Sequence, residues 1–227
     1  MNKIIMYILG TMMLLVSCEK EWIPTASYLK VSNHSVSVSP NSIRLSCDLY
    51  SNADIDEAYV DFGGISAQCL LEKYDNLIVV QTFSKSRSMA GMRIGFALGN
   101  AELIKALNDF KYSFNSYTMN QAALMLGAEA VKDRAYFEEC VEKIKVTRAW
   151  TCEELKKLGF EFNEPMANFV FVTHPKYAAK DIFMALREQK IFVRYFSLPR
   201  IDNYLRITIG TDEEMRKLVE FLKDYVK

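Results

Sequence analysis

From about residue 53 to the C-terminus, short apolar runs alternate with stretches in which apolar residues recur every three or four positions. The runs at 77–83 and 94–98 have the length and composition of buried strands. Leu103, Leu107 and Phe110 keep a helical spacing, as do Phe137, Val141, Ile144, Leu155 and Leu158 on a longer helix that Gly159 stops. Residues 169–172 read as a strand, 181–189 as a helix, and 191–195 and 205–209 as further strands. Thr211 and Glu214 form a capping box for a last helix along Met215, Leu218, Leu222 and Tyr225. This order predicts an α/β arrangement first, an incomplete and mainly parallel sheet with helices, and then a small α+β C-terminal domain.

The first 52 residues have a different character. Lys3 supplies a positive start, and 4–16 is a mostly apolar run, too short for a comfortable membrane span but right for the apolar core of a secretion signal. Leu15-Val16-Ser17-Cys18 resembles a bacterial lipobox, which marks Cys18 as a lipidation site and a possible membrane anchor. Val36 and Val38 alternate with serines as a short strand does, and Pro40-Asn41-Ser42 reads as a turn. The expected organisation is a leader at 1–18, an exported β-like segment or linker at 19–52, a partial large domain at 53–140 and a small domain at 141–227.

Charge balances, with 28 basic and 28 acidic residues, and no basic stripe suggests nucleic acid. Glu153, Glu154, Lys156 and Lys157 read as a solvated helix face. The five cysteines include no Cys-x-x-Cys pair, and the odd number argues against a disulfide framework. With only His34 and His174, far apart, no metal site is expected. His174 ends an apolar run and reads as structural. A Gly-x-Ser-x-Gly elbow is absent, which excludes the usual serine-hydrolase layout.

Three clusters carry chemistry. The first is Asp56-Glu57-Ala58-Tyr59. The second is Thr82-Phe83-Ser84-Lys85, with Arg93 following in Ala90-Gly91-Met92-Arg93-Ile94-Gly95. The third is Arg194 with Arg206 in Leu205-Arg206-Ile207-Thr208. Singly, each has a bland reading: an exposed loop for the Ser-Lys pair, a salt bridge for Arg206. Together they supply an amine, an acid, a phenol, two hydroxyls and a guanidinium, most of them at or just after apolar runs. Strand ends are where α/β sheets gather ligand groups.

In this order and spacing the residues from about 54 to 227 resemble the fold-type I aminotransferases, and among them histidinol-phosphate aminotransferase. The resemblance implies pyridoxal 5'-phosphate (PLP) as cofactor. Lys85 would be the Schiff-base lysine and proton shuttle, Asp56 the partner of the pyridine nitrogen, and Tyr59 the donor to the 3-oxygen. Thr82, Ser84 and Arg93 would hold the cofactor phosphate, and Arg194 and Arg206 the anionic groups of the substrate. It also implies a small-molecule amino donor, a 2-oxo acid acceptor and a homodimer, in the cytoplasm, whereas the leader alone implies the cell envelope.

The family's first half carries an N-terminal arm, a glycine-containing phosphate loop, a ring-stacking aromatic and an asparagine, and none of these stands before Asp56. Residues 43–49 alternate loosely and are a candidate to replace a missing strand. The expectation is therefore a fusion or mis-joined frame of weak or no activity, with apolar edges exposed. Two other readings compete: a PLP lyase or decarboxylase acting on an amino-acid phosphate, and a non-catalytic envelope lipoprotein.

Overall fold

A computed structural model describes residues 7–10, 31–39, 42–49 and 53–227. Cys18 and the cleavage motif before it lie outside those residues. The chain forms two compact units: the described residues up to Ala58 with Ser66–Glu129, and Tyr59–Ile65 with Ala130–Lys227.

The first unit is built on a sheet ordered β1-β6-β5-β4, from β1 (Tyr7–Gly10), β4 (Ala53–Asp56), β5 (Leu77–Thr82) and β6 (Ile94–Gly99). Among the described residues parallel pairing is confined to β4 and β5, in register from Ala53↔Leu77 to Asp56↔Val80. β6 runs antiparallel to β5, because the segment between them is too short to carry the chain back for a parallel crossover. β1, inside the run read as a secretion signal, pairs antiparallel with β6. Among the described residues β2 (Val31–Ser39) and β3 (Ser42–Leu49) pair only with each other, so the strand over 43–49 does not extend the larger sheet. Leu77, Val79 and Leu98 form the small core of this unit with Leu71.

Helix α1 (Ala101–Phe114) starts at Asn100, whose side chain accepts the Leu103 N–H at 2.9 Å. Helix α2 (Gln121–Lys132) was not expected from apolar spacing. Its buried positions are the small residues Ala123 and Gly127, while Leu124, Met125 and Leu126 are exposed. Gly127 allows the close approach to β6: a Cβ there would lie 2.9 Å from Ile94 Cδ1.

The second unit packs α3 (Arg134–Lys157), α4 (Ala179–Glu188) and α5 (Asp212–Tyr225) with a three-stranded sheet, ordered β7 (Phe169–Val172), β9 (Leu205–Thr208), β8 (Arg194–Tyr195). Strand alternation sends Val170, Val172, Leu205 and Ile207 into a core shared with Leu155, Ile182, Leu186, Leu218 and Leu222. Each such side chain contributes about 1.5–3 kcal/mol on burial. The Thr211–Glu214 capping box forms as its sequence suggests. Helix α3 ends in a Schellman motif: Gly159, at φ +85°, donates to Lys156 O, and Phe160 donates to Leu155 O.

Two local readings are corrected. Of the strand expected over 191–195, only Arg194 and Tyr195 pair, because the Ile191 N–H turns back to Leu186 O at 2.9 Å to close α4. Glu154 is not on a solvated face. It is buried and accepts from Lys157 at 2.6 Å and from Lys223 of α5 at 2.7 Å, and these lysines hold its carboxyl below the usual range. Thr147 Oγ1 adds a second tie between α3 and α5, donating to Asp212 at 2.6 Å. His174 is structural: its Nδ1 accepts from the Lys176 N–H, so its Nε2 carries the proton and donates to Leu158 O at 3.1 Å.

Candidate active site

Five of the singled-out residues collect at one end of the first unit's sheet. Asp56 ends β4 and Thr82 ends the parallel strand β5 beside it. Arg93 directly precedes β6, and Phe83 N–H to Ile94 O at 3.0 Å ties the start of that strand to the end of β5. Lys85 follows Ser84 and is exposed, between the buried Phe83 and Ser86 that anchor its loop. The loop is closed by Met89 N–H to Phe83 O at 3.1 Å.

The polar groups there are well ordered. Thr82 Oγ1 accepts the Ser84 N–H at 3.1 Å and lies 2.8 Å from Ser84 Oγ and 3.1 Å from Ile94 O. With one proton it donates to one of these at a time, which leaves the hydroxyl pair free to reorganise around an anion. Arg93 donates to Ala90 O at 2.8 Å and adopts a left-handed backbone, φ 57°, at a cost of about 1–2 kcal/mol for a non-glycine residue. Asp56 Oδ1 accepts the Ala58 N–H at 2.9 Å, and its second oxygen gives the carboxylate capacity for a further donor.

Glu57, which sequence reasoning passed over, clamps this end. Its backbone N–H bonds Val80 O at 2.8 Å. Its buried carboxylate accepts from Ser66 Oγ at 2.6 Å, Ala67 N–H at 2.5 Å and Gln81 Nε2 at 2.8 Å. One side chain thereby fixes the end of β4 against β5, next to Asp56. Only the adjacency of Glu57 to Asp56 hinted at this.

The other three candidates lie in the second unit. Tyr59 precedes a 3-10 turn at Val60–Phe62 and sets its ring edge-on to Phe169, with centroids 5.3 Å apart. Arg206 and Arg194 are direct partners across β9 and β8, and Phe171 is the partner of Arg206 across β7. All three therefore project from the sheet face opposite the core. The Arg206 guanidinium lies 5.4 Å from the Phe169 ring centre, and that of Arg194 lies 5.6 Å from Phe196. Phe171 stacks on Tyr204 at 4.7 Å and meets Phe196 edge-on. A cavity of about 480 Å³ opens on this face, lined in part by Phe169, Phe171, Tyr204 and Glu161. Sequence reasoning passed over these aromatics, although Phe196 and Tyr204 stand two residues from Arg194 and Arg206.

Among the described residues, no group of three or more His, Cys, Asp or Glu is placed to hold a metal ion, and no helix is long and apolar enough to cross a membrane.

Known proteins share this architecture. Residues 55–222 match the family described as "Aminotransferase class I and II". The chain is a member of the class I and II aminotransferase family. It is 52% identical over 172 residues to a histidinol-phosphate aminotransferase of Clostridium botulinum, a match covering 76% of this chain and 49% of that protein. The crystal structure of the histidinol-phosphate aminotransferase from Clostridium acetobutylicum superposes with a TM-score of 0.69 at 28% identity, over 76% of this chain and 53% of that one. The enzyme of the same name from Sinorhizobium meliloti, solved in complex with pyridoxal-5'-phosphate, gives 0.68 at 27% identity, over 76% and 48%. The chain thus spans about half the length of the relatives it matches.

Proposed function

We propose that this chain carries the PLP- and substrate-binding residues of an aminotransferase that exchanges an amine between histidinol phosphate and 2-oxoglutarate, working as a homodimer in histidine biosynthesis. The observation that supports this reading best is the gathering of Asp56, Thr82, Ser84, Lys85 and Arg93 at one end of β4, β5 and β6.

Their donor chemistry fits the cofactor. A carboxylate suits a protonated pyridine nitrogen, a primary amine suits an aldehyde, and two hydroxyls with a guanidinium suit a phosphate dianion. Once bound, PLP supplies an electron sink for the bond cleaved at the substrate α-carbon. Lys85 would hold the cofactor through its ε-amine and, once released from it, would carry the proton between the substrate's α-carbon and the cofactor's aldehyde carbon. Asp56 keeps the pyridine nitrogen protonated. Tyr59 supplies a phenol to the 3-oxygen. Arg194 and Arg206 receive the anionic groups of the substrate, where two guanidinium forks match a dianionic phosphate.

The test uses the full chain. It is mixed with PLP, reduced with borohydride and digested, and the labelled peptide is mapped by mass spectrometry. One label per chain on Lys85, lost in Lys85→Ala, is the expected result. No label, or label spread over surface lysines, overturns the reading.

A further inference from the structure

We propose that Phe169 is a positioning residue for substrate recognition, in contact with both the Arg206 guanidinium and the Tyr59 ring. The inference rests on the anion-binding role of Arg206 proposed above. Arg206 is half-buried, and its Nε is buried with no hydrogen-bond partner. Among the described residues no carboxylate lies within ion-pair distance of it. An arginine kept only for stability would be expected to satisfy its buried donor, since an unmet one is costly. What holds this guanidinium in place is an aromatic face, the Phe169 ring 5.4 Å away. A ring attracts the cation without using its N–H groups, so the planar fork stays available to an anion.

Phe169 is itself well placed for this task. Its backbone is fixed by the antiparallel register Phe169↔Thr208, two residues from Phe171↔Arg206 on the same face, and this sets ring and guanidinium as diagonal neighbours. Its other contact is the Tyr59 ring at 5.3 Å and 87°. One side chain therefore touches both the Tyr59 ring and the Arg206 guanidinium. Arg194 repeats the device over Phe196.

The experiment is calorimetric titration of the full chain, without PLP, with histidinol phosphate and with histidinol, for wild type, Phe169→Leu, Phe169→Tyr, Arg206→Lys and the Phe169→Leu/Arg206→Lys pair. Phe169→Met replaces Phe169→Leu should the smaller side chain lower the melting temperature. Phe169→Leu is expected to weaken histidinol phosphate about fivefold, to leave histidinol unchanged, and to have no further effect once Arg206 is lysine. Phe169→Tyr, which keeps the ring, is expected to bind as wild type does. Wild-type affinity in Phe169→Leu, or an equal loss with lysine at 206, overturns the inference alone. Failure of the wild type to bind histidinol phosphate overturns the underlying reading with it.

Discussion

Arg194 and Arg206 stand directly opposite each other on β8 and β9, so two guanidinium groups leave adjacent points on the same sheet face. Like charges in directly opposed cross-strand positions destabilise a sheet. Arg194→Gln is therefore expected to raise the melting temperature slightly at low ionic strength. Added inorganic phosphate should stabilise the wild type more than the variant. Thermal melts with and without phosphate check both, and an unchanged or lower melting temperature at low salt would contradict the first.

Glu57 satisfies three donors from one buried carboxylate. Glu57→Leu leaves Ser66 Oγ, Ala67 N–H and Gln81 Nε2 without it, and a loss of about 1–3 kcal/mol is expected. Because Glu57 adjoins Asp56, PLP capture should weaken as well, while the chain still folds. Urea denaturation and PLP titration by absorbance measure the two effects separately.

Gly159 ends α3 at φ +85°, and a Cβ there would stand 3.1 Å from His174 Nε2. Gly159→Ala is expected to cost about 1–2 kcal/mol from the left-handed backbone alone. Gly159→Asn should cost less on the backbone, since asparagine tolerates that region. Equal stability of Gly159→Ala and wild type in urea would show that the Schellman turn relaxes freely.

Hydrogen bonds from Lys157 and then Lys223 hold the Glu154 carboxyl below the usual carboxylate range. A carboxyl whose pKa is lower in the folded than in the unfolded chain stabilises the fold above its unfolded value. That contribution is lost as the pH falls through the folded one. The melting temperature of Glu154→Gln should therefore lie below wild type at neutral pH, and the gap should close on acidification through and below the ordinary carboxylate range. A gap that stays constant with pH would mean the loss is one of packing.

Much of this was readable because it is local. The Thr211 and Glu214 pair, the stop at Gly159 and the strand-end cluster around Lys85 each sit within a few residues of sequence. Helix α2 escaped because its buried stripe is made of Ala123 and Gly127 while larger apolar residues point outward, which inverts the usual periodic signal. Glu154 looked solvated because Lys223, its partner on α5, is distant in sequence. Phe169 and Phe171 were hidden for the same reason: strand pairing, not local spacing, brings those rings to Arg206.

On β7 and β9, neighbouring residues serve opposite ends: Val170 and Ile207 fill the core, while Phe169 and Arg206 face the cavity side. A slip of one residue in their pairing would drive Arg206 into the hydrophobic interior and turn Ile207 outward. A chain that mispaired these strands could not persist as a stable protein with its arginines misplaced. Quality control by folding therefore extends to the geometry of the arginines, and every molecule that passes it presents them in the same place.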